Sequence, residues 1–220
     1  MKQRFLTIAV FAALAACGFR PAYSEPGRVI GGYLDFNYYY DTRDFNVFTI
    51  NSQLKMTRQL EYFSFVNYFN SAKTSLNRDL TNYYTEQNLR WSLLPGIPAE
   101  AVVQYVSTGG GKNDVLHFGG RWRVSSTGWF ENFLKRINMF YAVSFFPLQF
   151  DSREGYHWQI EHVYRMELFP DLTDKRLYLS GYADHNIGPG NLPWVTEHQL
   201  GIRLVGGLHA VSEYRHNGFL

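Results

Sequence analysis

Cysteine is nearly absent from this chain of 220 residues: Cys17 is the only one, and it lies close to the N-terminus. A single thiol forms no intramolecular disulfide and cannot supply the several thiolate ligands of a structural zinc site. Because Cys17 precedes the part of the chain that carries the strand patterns, a cysteine nucleophile in the folded part is also excluded.

Long apolar runs and surplus charge are missing as well. No segment beyond the N-terminus approaches the run of about 20 apolar residues that a membrane-spanning helix needs, so none is predicted. The chain has 21 Lys and Arg against 19 Asp and Glu, and Lys2 and Arg4, which account for the surplus, lie before Cys17. Nucleic-acid binding needs a clustered basic surface, so nucleic acid is not expected as a partner.

The N-terminus has the pattern of an export signal. Lys2 and Arg4 form a basic region, and residues 5–14 form an apolar stretch that is too short to span a bilayer. Two processing sites compete: 14-LAAC-17 fits a bacterial lipobox, in which Cys17 is acylated, and 22-AYS-24 fits cleavage after Ser24. We predict a signal peptide in residues 1–24 and one β-barrel domain in residues 25–220, with Cys17 as a candidate lipidation site.

A polar/apolar alternation of period two restarts throughout the remainder of the chain and predicts β-strands. In 156-YHWQIEHVYRMEL-168, one set of alternate positions is mostly apolar and the other is mostly charged or polar. Successive strand side chains point to opposite faces, so such a strand has one apolar face and one polar face. Eleven segments are predicted as strands: 29–41, 45–57, 60–70, 80–94, 97–107, 115–125, 137–150, 156–168, 176–186, 194–205 and 208–216.

Two architectures fit this pattern. A soluble sheet covers its apolar face with a second layer, whereas a membrane barrel turns that face to lipid and its polar face to the lumen. The connecting segments favour the barrel, because longer polar links alternate with short ones such as 57-TRQ-59 and 205-VGG-207. The 18% content of aromatic residues is typical of the girdles at both interfaces of such barrels. We therefore predict an all-β, antiparallel transmembrane β-barrel of 10–12 strands in the bacterial outer membrane.

Two features complete this fold prediction. Segment 128–137 places Trp129, Phe130, Phe133 and Leu134 at helical spacing, which predicts one short amphipathic helix that either caps the barrel end or rests among lipid headgroups. Eleven strands is an awkward number, because single-chain bacterial barrels normally have an even number. Either one segment is wrongly split or merged, or a further strand is required after the turn-like 216-HNG-218.

The sequence resembles bacterial outer-membrane β-barrel proteins over most of residues 28–220. More narrowly, 176-RLYLSGYADHN-186, 197-EHQLGIRL-204 and 213-EYRHN-217 resemble the nucleoside-specific channel (Tsx-like) family. That resemblance implies a barrel of twelve strands, and no binding residue is carried over from it.

The polar strand faces hold ionisable residues of both signs, which survive inside a protein when paired or hydrated. They either fill a narrow barrel with salt bridges or line a hydrated path for a small polar solute. We predict a porin-like passive channel or binding barrel, with outer-membrane lipid as a partner. A lipid-anchored or periplasmic β-rich structural or ligand-binding protein is the alternative, and an outer-membrane lipid-modifying hydrolase is a further one. The candidate lumen-lining residues are Glu86, Arg90, His117, Arg121, Arg123, Glu161, Arg165, Asp184, Glu197, Arg203, Glu213 and Arg215.

Catalytic, metal and cofactor motifs are weak. Outer-membrane hydrolases use serine and histidine, but Ser212 and His209 are three positions apart on a predicted strand and point to opposite faces. The histidines have no metal-ligand spacing, and 108-TGGGKND-114 lacks the strand and helix of a phosphate-binding loop. We therefore predict no enzyme activity, no metal and no cofactor.

Overall fold

The computed structural model describes residues 5–9, 31–41, 45–71, 82–109, 114–152, 155–189 and 193–218. These residues form one antiparallel sheet of twelve strands, eleven of which follow residue 30, so the prediction of an all-β antiparallel chain is confirmed. The strands are β1 (Phe5–Ala9), β2 (Gly31–Asp41), β3 (Phe45–Lys55), β4 (Leu60–Ser71), β5 (Tyr83–Ser92), β6 (Ala99–Thr108), β7 (Val115–Trp122), β8 (Met139–Phe150), β9 (Trp158–Glu167), β10 (Leu177–Ile187), β11 (Trp194–Val205) and β12 (Leu208–Asn217). The candidate processing sites at Cys17 and Ser24 lie outside the described residues.

The strands form a meander from β2 to β12, in which each strand pairs with the one before it. β1 pairs with β12, with Phe5 opposite Arg215, and it also lies beside β2. Within the described residues no backbone ladder joins β2 to β1 or to β12, so the hydrogen-bonded sheet is not closed into a barrel. Because neighbouring strands alternate in direction, β2 and β12 run parallel to each other, and β1 is antiparallel to its partner β12.

The sheet has one polar and one apolar face, and the register lines up like residues across neighbouring strands. On the polar face, Asn88 lies opposite Gln104, and Gln104 lies opposite His117. On the apolar face, Val103 lies opposite Leu89 and Phe118. The apolar faces of the individual strands therefore join into one apolar face of the sheet, and their polar faces join into one polar face.

The polar face is concave, because residues on distant strands meet across it. The side-chain nitrogen of Gln199 on β11 donates to the Tyr39 hydroxyl on β2 at 3.4 Å, near the two ends of the strand order. Tyr84 on β5 interacts electrostatically with Asp184 on β10. A register shift between β7 and β8 adds a local bend at Gly119, where a Cβ atom would lie 2.0 Å from the Phe145 carbonyl oxygen.

The connections at the two edges differ in content. One edge has the short turns after β3, β5 and β11, together with two helices, α1 (Gly128–Arg136) between β7 and β8 and α2 (Pro170–Thr173) between β9 and β10. Helix α1 is the predicted amphipathic helix. Of its four apolar residues, Leu134 is only 6% exposed, whereas Trp129 is 71% exposed and projects from the molecule.

No helix in the described residues has the length and apolar character needed to cross a membrane.

One predicted boundary and one missing element are corrected. The predicted strand 115–125 ends at Trp122, because Ser126 and Thr127 donate backbone hydrogen bonds back to Arg123 and Val124 and form a short 3₁₀ helix, Val124–Ser126. Arg123 therefore lies outside the strand to which the alternation assigned it. Helix α2 was not predicted, since its single turn is too short to show a helical period.

The segments 60–70 and 137–150, which are apolar at both sets of alternate positions, belong to β4 and β8. Their inward aromatic rings pack against polar-face groups. Phe63 lies 4.8 Å beneath the Arg90 guanidinium carbon, and the Phe146 ring is stacked on the His117 ring with centroids 5.1 Å apart. These apolar positions are therefore accommodated by cation–π and ring contacts on the concave face.

Candidate functional site

The twelve predicted lumen-lining residues all have described positions. Eleven stand at polar-face positions of their strands, and Arg123 follows the end of β7. They separate into three clusters and one cavity, and most of them contact at least one other polar-face residue.

The first cluster contains three carboxylates from three strands. Glu86 on β5 interacts electrostatically with Glu161 on β9 and Asp184 on β10. The Asn88 side-chain nitrogen donates to Glu86 at 2.7 Å, and the Ser144 hydroxyl donates to Glu161 at 2.8 Å. Like charges repel strongly in a buried site, so these hydrogen bonds are needed to hold the three groups on one concave surface.

A chain of hydrogen bonds continues from this cluster across β6, β7 and β8. The Gln104 side-chain nitrogen donates to Glu86 at 2.9 Å, and its side-chain oxygen lies 2.6 Å from the His117 ring. The other His117 nitrogen lies 2.8 Å from the Gln149 side-chain oxygen, and the Gln149 nitrogen donates to Asp151 at 2.8 Å. Gln104 is 1% exposed and Phe146 is fully buried, so this side of the concavity is filled by protein.

The second cluster consists of ion pairs near the edge that carries the short turns. Glu100 pairs with Arg121 at 3.1 Å and with Arg123 at 3.3 Å, and Arg90 pairs with Glu61 at 3.2 Å. Arg121 and Glu100 are both buried. Burying such a pair costs desolvation energy that its attraction only offsets, so the pairs fix side-chain positions more than they add stability.

The third cluster lies on β11 and β12. Glu197 pairs with Arg215 at 3.9 Å, and Gln199 donates to Glu213 at 2.9 Å. Tyr182 on β10 also hydrogen-bonds to Glu197, and its hydroxyl interacts electrostatically with Arg215. Through Gln199 this cluster reaches Tyr39 on β2, so it links the two ends of the sheet.

The remaining two predicted residues, Arg165 and Arg203, line a cavity of about 440 Å³ at the edge with the short turns. The Arg165 guanidinium carbon lies 4.1 Å from the centre of the Tyr178 ring. Neither arginine belongs to the three clusters.

Comparison of the chain with known protein families, curated proteins and solved structures found no match. The resemblance to the nucleoside-specific channel family therefore stays a prediction. Function is argued below from the polar concave face and the apolar convex face.

Potential catalytic and metal-binding residues do not converge in the described part of the chain. His209 lies opposite Arg203 on the polar face, whereas Ser212 lies opposite Leu200 on the apolar face. Their side chains point away from each other, so they form no catalytic dyad. The described residues contain no group of three or more His, Cys, Asp or Glu side chains placed to hold a metal ion.

The interior residues that the prediction missed include two carboxylates, Glu61 and Glu100, which pair with predicted arginines, and several uncharged amides. Asn88, Gln104, Gln149 and Gln159 join the charged groups to one another, yet the prediction named only ionisable side chains. The alternation did contain a signal for them, because each occupies a polar-face position in its segment. What it lacked was the register that makes them neighbours.

Proposed function

We propose that this chain is an outer-membrane β-barrel of a Gram-negative bacterium that admits a small polar solute to its polar interior. The observation that carries the proposal is the inverted distribution of side chains. Phe150 on the convex face is 59% exposed, whereas Gln104 on the concave face is 1% exposed. Within the described residues no second layer covers the convex face, and an apolar surface of this extent is stable when hydrocarbon contacts it.

Exposed aromatic side chains support the membrane orientation, because they collect near both edges of the sheet. A barrel presents such girdles at the two membrane interfaces, with aliphatic residues between them. On the edge with short turns they are Trp91, Trp122, Trp129 and Phe133, and on the opposite edge they are Tyr40, Phe150, Tyr156 and Trp194.

Closure of the barrel belongs to this proposal. The contact between Tyr39 and Gln199 and the position of β1 between β12 and β2 bring the two ends of the sheet together. A small further movement would complete the ladder and remove both exposed edges, which in hydrocarbon carry unsatisfied backbone groups. The proposed mechanism is diffusion along the mixed-charge interior, with no covalent step. Balanced signs of charge disfavour strong ion selectivity, which requires rings of one sign.

Fractionation tests the location. The whole chain, expressed in a Gram-negative host, should sediment with outer membranes, resist carbonate extraction and migrate faster on gels when left unheated. The Cys17→Ser variant separates this proposal from the lipid-anchored alternative. A barrel keeps its membrane location after that change, whereas a lipid-anchored β protein is released to the periplasm, which would overturn the proposal.

Liposome swelling tests the solute path. Vesicles containing the purified protein should swell in an isotonic pentose solution and should not swell in a trisaccharide solution, because the β5–β8 side of the interior is filled. Swelling in neither solution would show that the whole interior is closed and that the barrel is structural.

A further inference from the structure

The cavity near Arg165 lies at the end of the concave face, between the turns that follow β9 and β11. Its volume of about 440 Å³ is in the range of small-molecule sites. It is separate from the three clusters described above. The residues that line it are Arg165, Glu167, Asp174, Lys175, Arg176, Tyr178, Arg203, Gly206 and His209.

The wall of this cavity carries an excess of positive charge. Four of its residues are cationic, whereas only Glu167 and Asp174 are acidic. In the part of the chain that the structure describes, none of the four cations forms an ion pair, in contrast to Arg90, Arg121 and Arg215. The positive charge at this end is therefore left for a ligand or solvent to balance.

Several contacts hold the cationic groups in place before any ligand binds. Arg176 donates two hydrogen bonds to the backbone carbonyls of Arg203 and Leu204. Arg165 lies over the Tyr178 ring, and that ring is seated against Gly201, where an added Cβ atom would lie 2.2 Å from a ring carbon. A larger residue at position 201 would displace the ring and the guanidinium above it. Preorganised guanidinium groups lose less conformational entropy when they bind an anion.

A polar atom in this cavity also lacks a partner. The His209 Nδ1 atom is buried and has no hydrogen-bond partner among the described residues. His209 interacts electrostatically with Arg165 and Arg203, so all three groups share one space. Because Nδ1 has almost no accessible surface, its missing partner is a local cost in free energy beside the cavity, and the histidine contributes to the site through its position in the wall.

We propose that this cavity binds a small oxyanion, in the form of a phosphate group. Guanidinium groups match the geometry of phosphate oxygens and form charge-assisted hydrogen bonds with them. The phosphate belongs either to a free ion or metabolite or to a lipid headgroup. The site is built by β9–β12 and their turns alone, so it does not depend on the proposed role as a solute channel.

Calorimetric titration of the whole chain, folded in neutral detergent at low ionic strength, tests this inference with inorganic phosphate. We expect saturable binding that Arg165→Gln and Arg203→Gln each weaken roughly tenfold, the effect of losing one charge-assisted hydrogen bond. Glu167→Gln should strengthen binding, because it removes a negative charge from the wall. Arg58→Gln is the matched control: it removes the same charge from an exposed turn at the same edge, and it should change nothing.

A second titration, with a short-chain phosphatidylglycerol, identifies the source of the phosphate. Tighter binding of this lipid than of inorganic phosphate, with the same dependence on Arg165, assigns the site to a headgroup, and the reverse order assigns it to a free ion. Equal weakening by Arg58→Gln and Arg165→Gln, or no saturable binding of either probe, overturns the inference. If an arginine variant does not fold, the opposite effect of Glu167→Gln still decides the question. A protein that binds no phosphate could still fractionate with the outer membrane, so the phosphate site and the proposed membrane location are tested separately.

Discussion

At the scale of single residues, the environment of the convex face decides the cost of a charge placed on it. Val103 lies at the middle of β6 on that face, opposite Leu89 and Phe118. An arginine near the middle of a bilayer costs a barrel about 2–4 kcal/mol, whereas surface substitutions in water usually change stability by less than about 0.5 kcal/mol. We expect Val103→Arg to lower the free energy of unfolding in lipid vesicles by about 2–4 kcal/mol, measured by urea titration.

The matched control for this change is Leu94→Arg, which introduces the same charge in the turn between β5 and β6. Leu94 is 57% exposed, and its position beyond the strand ends places it near the proposed membrane interface. Its cost should stay below about 1 kcal/mol. Equal costs for the two variants would mean that water or protein, rather than lipid, contacts the convex face.

The buried hydrogen-bond chain gives a second prediction for single residues. The Gln104 side-chain nitrogen donates a hydrogen bond to Glu86, and its side-chain oxygen is hydrogen-bonded to the His117 ring. Both partners lie on the concave face. Gln104→Leu keeps a similar volume but removes one hydrogen-bond partner from Glu86 and the partner of His117 Nδ1, which should cost about 1–3 kcal/mol. Urea unfolding measures the effect. Gln59→Leu, in the exposed turn after β3, should be nearly neutral, and a similar loss there would show that the chain around Gln104 contributes nothing specific.

These examples show how much of the candidate site could be predicted. Period two in the sequence placed Arg121, Glu161 and Asp184 on one face without any knowledge of the fold. It could not show that Glu100 pairs with Arg121, because that pairing depends on the register between β6 and β7. The cavity around Arg165 was also beyond prediction, since Asp174 and Lys175 enter it from a turn that has no period.

At the scale of secondary-structure elements, helix α1 is held by one residue of its apolar stripe. Leu134 is buried, whereas Phe133 beside it is 54% exposed. Truncation of a buried leucine costs about 2–5 kcal/mol through lost contacts and the cavity left behind. We expect Leu134→Ala to destabilise the protein in detergent by about 2–3 kcal/mol and Phe133→Ala by less than 1 kcal/mol.

The same pair of variants examines the second role predicted for α1, that of a helix resting among lipid headgroups. In lipid vesicles the Phe133→Ala variant should lose stability relative to its behaviour in detergent, because an aromatic ring at an interface gains from the bilayer. A Phe133→Ala effect that is the same in both media would mean that the exposed stripe has no contact with lipid.

The sequence predicts strands and helices well where their hydrophobic period is sustained, and it predicts the residues at which they begin and end less well. The eleven predicted strands correspond to β2–β12, and α1 lies within the predicted segment 128–137. β1 is different, because the sequence assigned Phe5–Ala9 to an export signal and the structure shows a strand paired with β12. A short apolar run suits both roles, since five residues are too few to distinguish a strand from part of a leader.

At the scale of the whole molecule, the number of strands determines how the sheet can close. The eleven strands from β2 to β12 are an odd number, so the two outer ones run parallel, whereas barrels with an even number of strands are antiparallel throughout. β1 lies beside both outer strands and brings the number to twelve. The predicted removal of residues 1–24 would take β1 away, and the proposed closure would then require a parallel contact between β2 and β12. Processing and closure are therefore linked.

A disulfide between β1 and β12 tests this link. Leu6 lies directly opposite Tyr214, and residues opposite each other on antiparallel strands have Cα atoms about 4.5–5.5 Å apart, a separation that a disulfide spans. In a Cys17→Ser background, Leu6→Cys with Tyr214→Cys should cross-link in the refolded precursor. The cross-link should be absent from the exported protein, and mass spectrometry of that protein should show a chain that starts at residue 25. Thr7→Cys with Tyr214→Cys is the control, because Thr7 lies opposite Glu213 in the register and this pair should not cross-link. An exported protein that keeps the cross-link would show that β1 is a permanent strand, that the predicted signal peptide is wrong, and that the closed sheet has an even number of strands.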